Sequence, residues 1–395
     1  MTDIHKNTCP AFFLDATIDP AGSYSPCTAL GGGTFNFGDQ TFRLTWQDPK
    51  LQFVRQRSIN GEKLDMCRRC WTEEDLDFTS ERQYLIKDLP DKLDYTDPGY
   101  YMSGPKHLNI KVSNICNLRC RTCQSKDSYL YHIEGAHYEK TYKLERTVYT
   151  MEKFKKHFTD AQLDELFEFS NNLERIELYG GEPFLDDQVP GYLLRLVDTG
   201  LSKNIDLSVS TNATHELTDT WRKILNNFKN AILNVSIDAI GSQFAYMRHP
   251  GKWEIVEKNL NDFFKLEYAA ESNNITIQPV ITVSALNVLS LPSVFDYFKK
   301  YRVEPFIILV QYPRYYCVNV LPDSIRPEVE QILRQRNNPK FIPVVNLINT
   351  PRYDSWDKFK FWTRAKDEYR EENFLETFPD LAQLLLKHNE WYDTL

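Results

Sequence analysis

"HLNIKVSNICNLRCRTCQS", residues 107–125, joins a short strand-like run to a dense group of cysteines. Three of the chain's eight cysteines fall in this stretch, with three residues between Cys116 and Cys120 and two between Cys120 and Cys123. Closely spaced thiolates are soft ligands, suited to an iron–sulfur cluster or to part of a zinc site. Structural zinc normally completes a tetrahedron with a fourth Cys or His close by, often in a C-x2-C pair. The nearest candidates, His132 and His137, sit at a spacing that does not suit it. A cubane held by three cysteines leaves one iron with an open position, at which a small molecule can bind the metal directly.

Working outward, six stretches read as strands: 107–113, 174–179, 205–210, 231–237, 275–283 and 305–311. Helical patterns lie between them, which is the signature of βα units and a parallel sheet. Val256, Leu260, Phe263 and Phe264 recur at helical spacing and predict a core-packed helix before the fifth strand. Residues 1 to about 90 carry turn signals, "DPAGSYSP" and "LGGGTFNFGD" among them, and read as a small loop-rich module. A polar, turn-rich linker over 91–105 marks the expected boundary, followed by the strand-and-helix domain over 106–320. The remainder, 321–395, reads as a charged helical extension whose end, "FPDLAQLLLKHNEWYDTL", is expected to close the open edge of the sheet. There is no internal repeat and no low-complexity tract.

The composition bounds the function. At 395 residues, one large α/β domain with a smaller companion is the expectation. Hydrophobic content of 42% and charged content of 26% are ordinary for a globular protein, and no run approaches the roughly 20 apolar residues of a membrane helix. A net charge of -8 without a dense Lys/Arg block disfavours nucleic acid as a partner. Met1 to Lys6 lacks signal-peptide character, so a cytoplasmic location is expected, where clustered cysteines serve metal or redox chemistry in preference to disulfides. Glycosylation-type triplets at Asn212, Asn234 and Asn274 then read as chance matches.

At C-x3-C-x2-C directly after the first strand of a βα series, the chain resembles the radical S-adenosylmethionine (radical SAM) superfamily. Further motifs carry the resemblance. "YGGEPFL" supplies Gly180, Gly181, Glu182 and Pro183, similar to the family's GGEP stretch, which recognises the cofactor's amino group. "VSTNAT" supplies Ser210 and Asn212, with Ala213 where the family commonly has glycine. "VSIDAIGSQFAYMRHPG" resembles the S-I-D…R segment of the peptide- and sulfatase-maturing subfamily, in which the serine and arginine contact the cofactor's carboxylate and ribose region. Ser236 and Arg248 hold those places here, with Asp238 as a further cofactor-side residue or a helix cap. Each motif falls at or just past the C-terminal end of an expected strand, the rim where functional groups of parallel α/β folds converge.

Cys9, Cys27, Cys67 and Cys70, with Gly22 four residues before Cys27 and the C-x2-C pair "MCRRC", resemble a SPASM/twitch auxiliary-cluster module. Here it stands before the barrel, whereas in familiar members it follows. The resemblance implies a second [4Fe-4S] cluster at 1–90; tetrahedral zinc is the alternative. Cys317 reads as a buried thiol or a substrate-facing one.

The resemblance thus implies an α/β enzyme with a partial (β/α)6 TIM-like barrel. A [4Fe-4S] cluster on Cys116, Cys120 and Cys123 would bind S-adenosylmethionine, and flavodoxin or ferredoxin would donate the electron. The substrate would be a peptide or protein side chain, in an oxidoreductase or maturase type of reaction. The alternatives are a small sugar- or nucleotide-like molecule as substrate, or an iron–sulfur or zinc binding protein without turnover. The segment 126–158 and the loop "YPRYYC" are candidate lining of the substrate cavity, though most of their residues read as solvated surface.

Overall fold

A computed structural model describes residues 6–30, 42–89, 94–124, 127–143, 158–269, 274–351 and 354–392. Most of the "LGGGTFNFGD" turn, and residues 126 and 144–157 of the candidate lining segment 126–158, lie outside them. The chain forms one α/β sheet of eight strands: β1 (Asp15–Ile18), β2 (Tyr24–Ser25), β3 (His107–Lys111), β4 (Arg175–Tyr179), β5 (Asp206–Thr211), β6 (Asn230–Ser236), β7 (Ile275–Val283) and β8 (Phe306–Leu309). Their order is β2-β1-β3-β4-β5-β6-β7-β8, all pairs parallel except β1 with β2, and among the described residues the sheet does not close. The six strands expected from sequence are β3 to β8, in chain order across the sheet, as in a partial TIM-like barrel.

Alternation decides which face each strand buries. Leu108 and Ile110, Ile176 and Leu178, Leu207 and Val209, and Leu233 and Val235 are fully buried in the core. The amphipathic helices fit that layer: Val256, Leu260, Phe263 and Phe264 of the helix Trp253–Glu267 are all buried, as their spacing predicts. The opposite, concave face carries Lys111, Glu177, Tyr179, Ser210, Asn234 and Ser236, each only half-buried. A polar inner face lines a lumen, where a closed barrel would be packed with branched apolar side chains.

The N-terminal region differs from the separate loop-rich module expected. It adds β1 beside β3, with Asp15 opposite His107 and their side chains 2.8 Å apart, and its Phe12, Phe13 and Trp46 join the same core as the barrel. It is also largely helical: Pro49–Ile59 starts behind an Asp48 cap, and Glu81–Asp88 starts with a reciprocal Ser80/Gln83 capping box. The helix Glu81–Asp88 crosses the concave side of the sheet, since Asp88 pairs with Arg175 of β4 at 2.9 Å while Tyr84 packs on Phe306 of β8 with ring centroids 5.8 Å apart.

The C-terminal region is helical, as expected. The helix Pro379–Lys387 docks through Lys387 and His388 onto Glu328, and Trp356 Nε1 donates to Glu390 O at 3.0 Å. Among the described residues no helix is long and apolar enough to cross a membrane.

Candidate active site

The loop after β3 is fixed by backbone bonds before any side chain acts. Val112 N donates to Tyr179 O, extending the sheet, and Arg119 N and Arg121 N donate to His249 O and Met247 O at 2.6 and 2.8 Å. Cys116, Cys120 and Cys123 are thereby held on one loop against the segment after β6. Burial pushes the Cys116 thiol up to about 12, with Cys120 adding to the shift, and burial likewise raises Cys120 and Cys123. Thiols so placed need a bound cation to become thiolates. Donors already point at the sulfurs: Leu118 N at 3.4 Å and Asn212 Nδ2 at 3.8 Å from Cys116 Sγ, and Arg248 Nη1 at 3.7 Å from Cys120 Sγ. Hydrogen bonds to ligating sulfur are a feature of iron–sulfur sites, so the donor set fits a cluster.

Beyond β4, Gly180 and Gly181 adopt left-handed backbone, φ +77° and +53°. A Cβ on Gly181 would stand 2.4 Å from Ile115 O, so only glycine lets this turn press against the residue before Cys116. Glu182 is buried, and its carboxylate is fully engaged. It accepts from Thr211 Oγ1 and Asn212 N at 2.7 Å each, and from Phe184 N at 3.2 Å. Burial lifts its pKa to about 7 against those donors. Glu182 therefore ties the β4 turn to the end of β5, leaving Pro183 to start a short 3-10 turn. Ala213 has φ +56°, which explains why glycine suits that place, and Asn259 holds its carbonyl at 2.8 Å.

At the end of β6, Asp238 also has left-handed backbone, φ +56°, and is not a helix cap. Its Oδ1 accepts from Thr282 N at 2.7 Å, and its Oδ2 lies 2.9 Å from Arg248 Nη2 as an ion pair not aligned as a hydrogen bond. Arg248 Nε has no partner although it is buried, which leaves a donor available beside the cysteines. Ser210 and Ser236 reach the same rim, half-buried on the concave face. The triplet asparagines are in use inside the fold: Asn234 Nδ2 donates to Ser208 Oγ, and Asn274 to the carbonyls of Leu225 and Phe228.

Residues 110–290 match the model of the radical SAM superfamily. This stretch is thus similar to the radical SAM superfamily. Solved structures similar to the chain include histidine-tagged anSMEcpe with bound AdoMet, 19% identical, with a TM-score of 0.42 over 64% of this chain and 64% of that one. SuiB of Streptococcus suis bound to S-adenosylmethionine is 12% identical, with a TM-score of 0.37 over 85% of this chain and 69% of that one. The same protein bound to the precursor peptide SuiA is 13% identical, with a TM-score of 0.35 over 80% and 64%. The chain thus spans about two thirds of the length of the structures it resembles. Among curated proteins nothing matches.

Around this matched region the fold adds two layers. One is the C-terminal helix Trp356–Arg370, whose role the sequence did not reveal. Arg121, fully buried and between Cys120 and Cys123 in sequence, pairs with Asp367 at 2.6 Å and with Glu372. Arg370 and Glu134 form a fully buried pair at 2.9 Å, and His249 Nδ1 lies 2.7 Å from Glu372. Burial opposes ionisation of Glu134, but Arg370 and Tyr138 outweigh it and hold the carboxyl below its usual range. His137 packs against Tyr369 in a tilted arrangement, with centroids 4.6 Å apart.

The other layer is N-terminal. Cys9, Cys27, Cys67 and Cys70, distant in sequence, line one cavity with Arg69, Glu81 and Arg82. Burial raises all three of Cys9, Cys67 and Cys70, Cys67 to about 12. None of the eight cysteines is in a disulfide, and among the described residues no three Cys, His, Asp or Glu side chains meet at the position of a single metal ion. Glu81 links this cavity to the lumen. Burial lifts its carboxyl to about 7, and the charges of Asp15 and of Glu177 on the concave face add to the effect. Cys317 is buried near Pro313 O and does not join either group.

Proposed function

We propose that the chain is a radical S-adenosylmethionine enzyme that removes a hydrogen atom from a peptide or protein side chain. The observation that carries this reading is convergence: three thiols, the glycine turn and the Asp238–Arg248 pair meet at the C-terminal rim of β3, β4 and β6. Cys116, Cys120 and Cys123 would hold a [4Fe-4S] cluster. When bound, cluster and S-adenosylmethionine together supply one-electron cleavage of the sulfonium to a 5'-deoxyadenosyl radical. The chain's own residues bind and orient. The backbone of Gly180 and Gly181, unobstructed by Cβ atoms, receives the cofactor's amino end; Glu182 keeps that turn in place from behind. Arg248 turns its free Nε–H toward an anionic group beside Cys120, with Asp238 fixing the guanidinium. Ser210, Asn212 and Ser236 offer hydroxyl and amide groups along the same rim. The half-buried polar face of β3 to β6 forms the floor of the substrate site.

Cys9, Cys27, Cys67 and Cys70 would hold a second [4Fe-4S] cluster, because four thiols bordering one cavity match the four-thiolate donor set of a cubane. A flavodoxin or ferredoxin supplies the electron. The substrate reading is tested with a deuterium-labelled lysate split by size, incubated anaerobically with the loaded enzyme, S-adenosylmethionine and dithionite. Hydrogen abstraction places substrate deuterium in 5'-deoxyadenosine. Label transferred from the peptide fraction supports the proposal, and label transferred only from the small-molecule fraction contradicts it.

A further inference from the structure

Three successive carbonyls around the middle cluster cysteine are each taken by a side chain from outside the loop. Arg370 Nη2 donates to Arg119 O at 2.9 Å, the Tyr131 hydroxyl donates to Cys120 O, and Lys366 Nζ donates to Arg121 O at 3.1 Å. Lys366 and Arg370 stand four residues apart on the helix Trp356–Arg370, so they share one face. Arg248 reaches the thiol of Cys120 from the other side. Cys120 is thus gripped through its flanking backbone by the C-terminal helix and through its sulfur by the barrel.

Lys366 differs from its neighbours in forming no ion pair among the described residues. Arg370 has Glu134, and Arg121 has Asp367 and Glu372. Lys366 is 4% exposed and lies near the rings of Tyr131 and Tyr316, and the Arg121 carbonyl is its hydrogen-bond partner. Burying a lysine amino group for one carbonyl gives up more hydration than a single hydrogen bond returns. A leucine or methionine would pack the same space at no such cost, unless the place of that carbonyl matters.

We propose, on the radical S-adenosylmethionine reading above, that Lys366 is a positioning residue: with Arg370 it fixes the carbonyls flanking Cys120 so that the three thiolates converge on one cluster. It touches neither cofactor nor substrate. It acts through the loop.

The test uses the full chain, reconstituted anaerobically, as wild type, Lys366→Met, Lys366→Gln and Lys366→Arg. Iron content, the EPR line shape of the reduced cluster with and without S-adenosylmethionine, and kcat and KM for its cleavage are measured. Lys366→Met removes the donor without stranding a carboxylate, and the expected result is a broadened spectrum with kcat for cleavage down roughly tenfold or more, as for removal of groups that orient metal ligands. Lys366→Arg and Lys366→Gln keep a donor and restore line shape and rate. Wild-type line shape and kcat in Lys366→Met, with only a lower melting temperature, would overturn the proposal. So would a Lys366→Gln variant as impaired as Lys366→Met. A wild-type protein that never cleaves S-adenosylmethionine would overturn the enzyme reading instead, which keeps the two failures apart.

Discussion

Gly181→Ala is predicted to damage the cluster loop from 65 positions away in sequence, and Gly200→Ala provides its control. Both glycines have left-handed backbone, φ +53° and +78°, so both substitutions incur the roughly 1–2 kcal/mol strain of an L-residue in that region. They differ in space. Nothing lies within 4 Å of a Cβ on Gly200, whereas a Cβ on Gly181 meets Ile115 O at 2.4 Å and Ile115 N at 3.0 Å. That contact is about 1 Å too close for non-bonded atoms, and relieving it adds about 1–3 kcal/mol of overpacking. The total is then ~2–5 kcal/mol for Gly181→Ala against ~1–2 for Gly200→Ala. Relief also has to move Ile115, and with it Cys116. Displacement of a reacting constellation by about 1 Å lowers rate on the order of a hundredfold. Urea denaturation gives the stability difference, and 5'-deoxyadenosine formation gives the rate. A Gly181→Ala protein as stable as Gly200→Ala and cleaving S-adenosylmethionine at the wild-type rate would refute the close-approach argument.

Other expectations follow from the buried charges and the second cysteine group. Arg121→Met strands Asp367 and Glu372 and is predicted to cost about 3–5 kcal/mol in denaturant unfolding, whereas breaking the exposed, solvent-screened pair Lys258–Glu216 should leave stability near that of the wild type. Glu134 has a folded pKa below its ordinary value of 4.5, so its ionisation stabilises the fold above that pH, and this contribution is lost as pH falls through the lower folded value. Glu134→Gln should therefore lower stability at neutral pH and flatten its decline below pH 4.5, followed by denaturation at several pH values. Replacing Cys67 and Cys70 together by alanine should halve the iron bound and leave S-adenosylmethionine cleavage in place. Unchanged iron with loss of zinc would make the N-terminal site a zinc site.

The barrel and its rim were readable because the strands from β3 to β8 alternate with helical patterns along the chain, and because the motifs sit at strand ends where topology gathers them. The N-terminal strand was not. β1 has four residues, buried on both faces and opened by an aspartate whose partner, His107, lies 92 positions away. The helices of that region start at Asp48-Pro49 and at the Ser80/Gln83 capping box, short local signals beside glycine-rich turns. Nothing local could have assigned the C-terminal helix to the cluster loop. Lys366, Asp367 and Arg370 read as an ordinary solvated helix face, and only the fold shows that Lys366 and Arg370 are buried against Arg119 and Arg121. Long-range charge pairing leaves no periodic trace in sequence.

Anaerobic reconstitution with iron and sulfide, followed by S-adenosylmethionine and dithionite, tests the central claim most directly, with 5'-deoxyadenosine quantified for the wild type and for a Cys116/Cys120/Cys123→Ala variant. The account predicts 5'-deoxyadenosine from the wild type and none from the triple variant, with about eight irons per wild-type chain from two cubanes. Equal product from both proteins, or none from a fully loaded wild type, would contradict it.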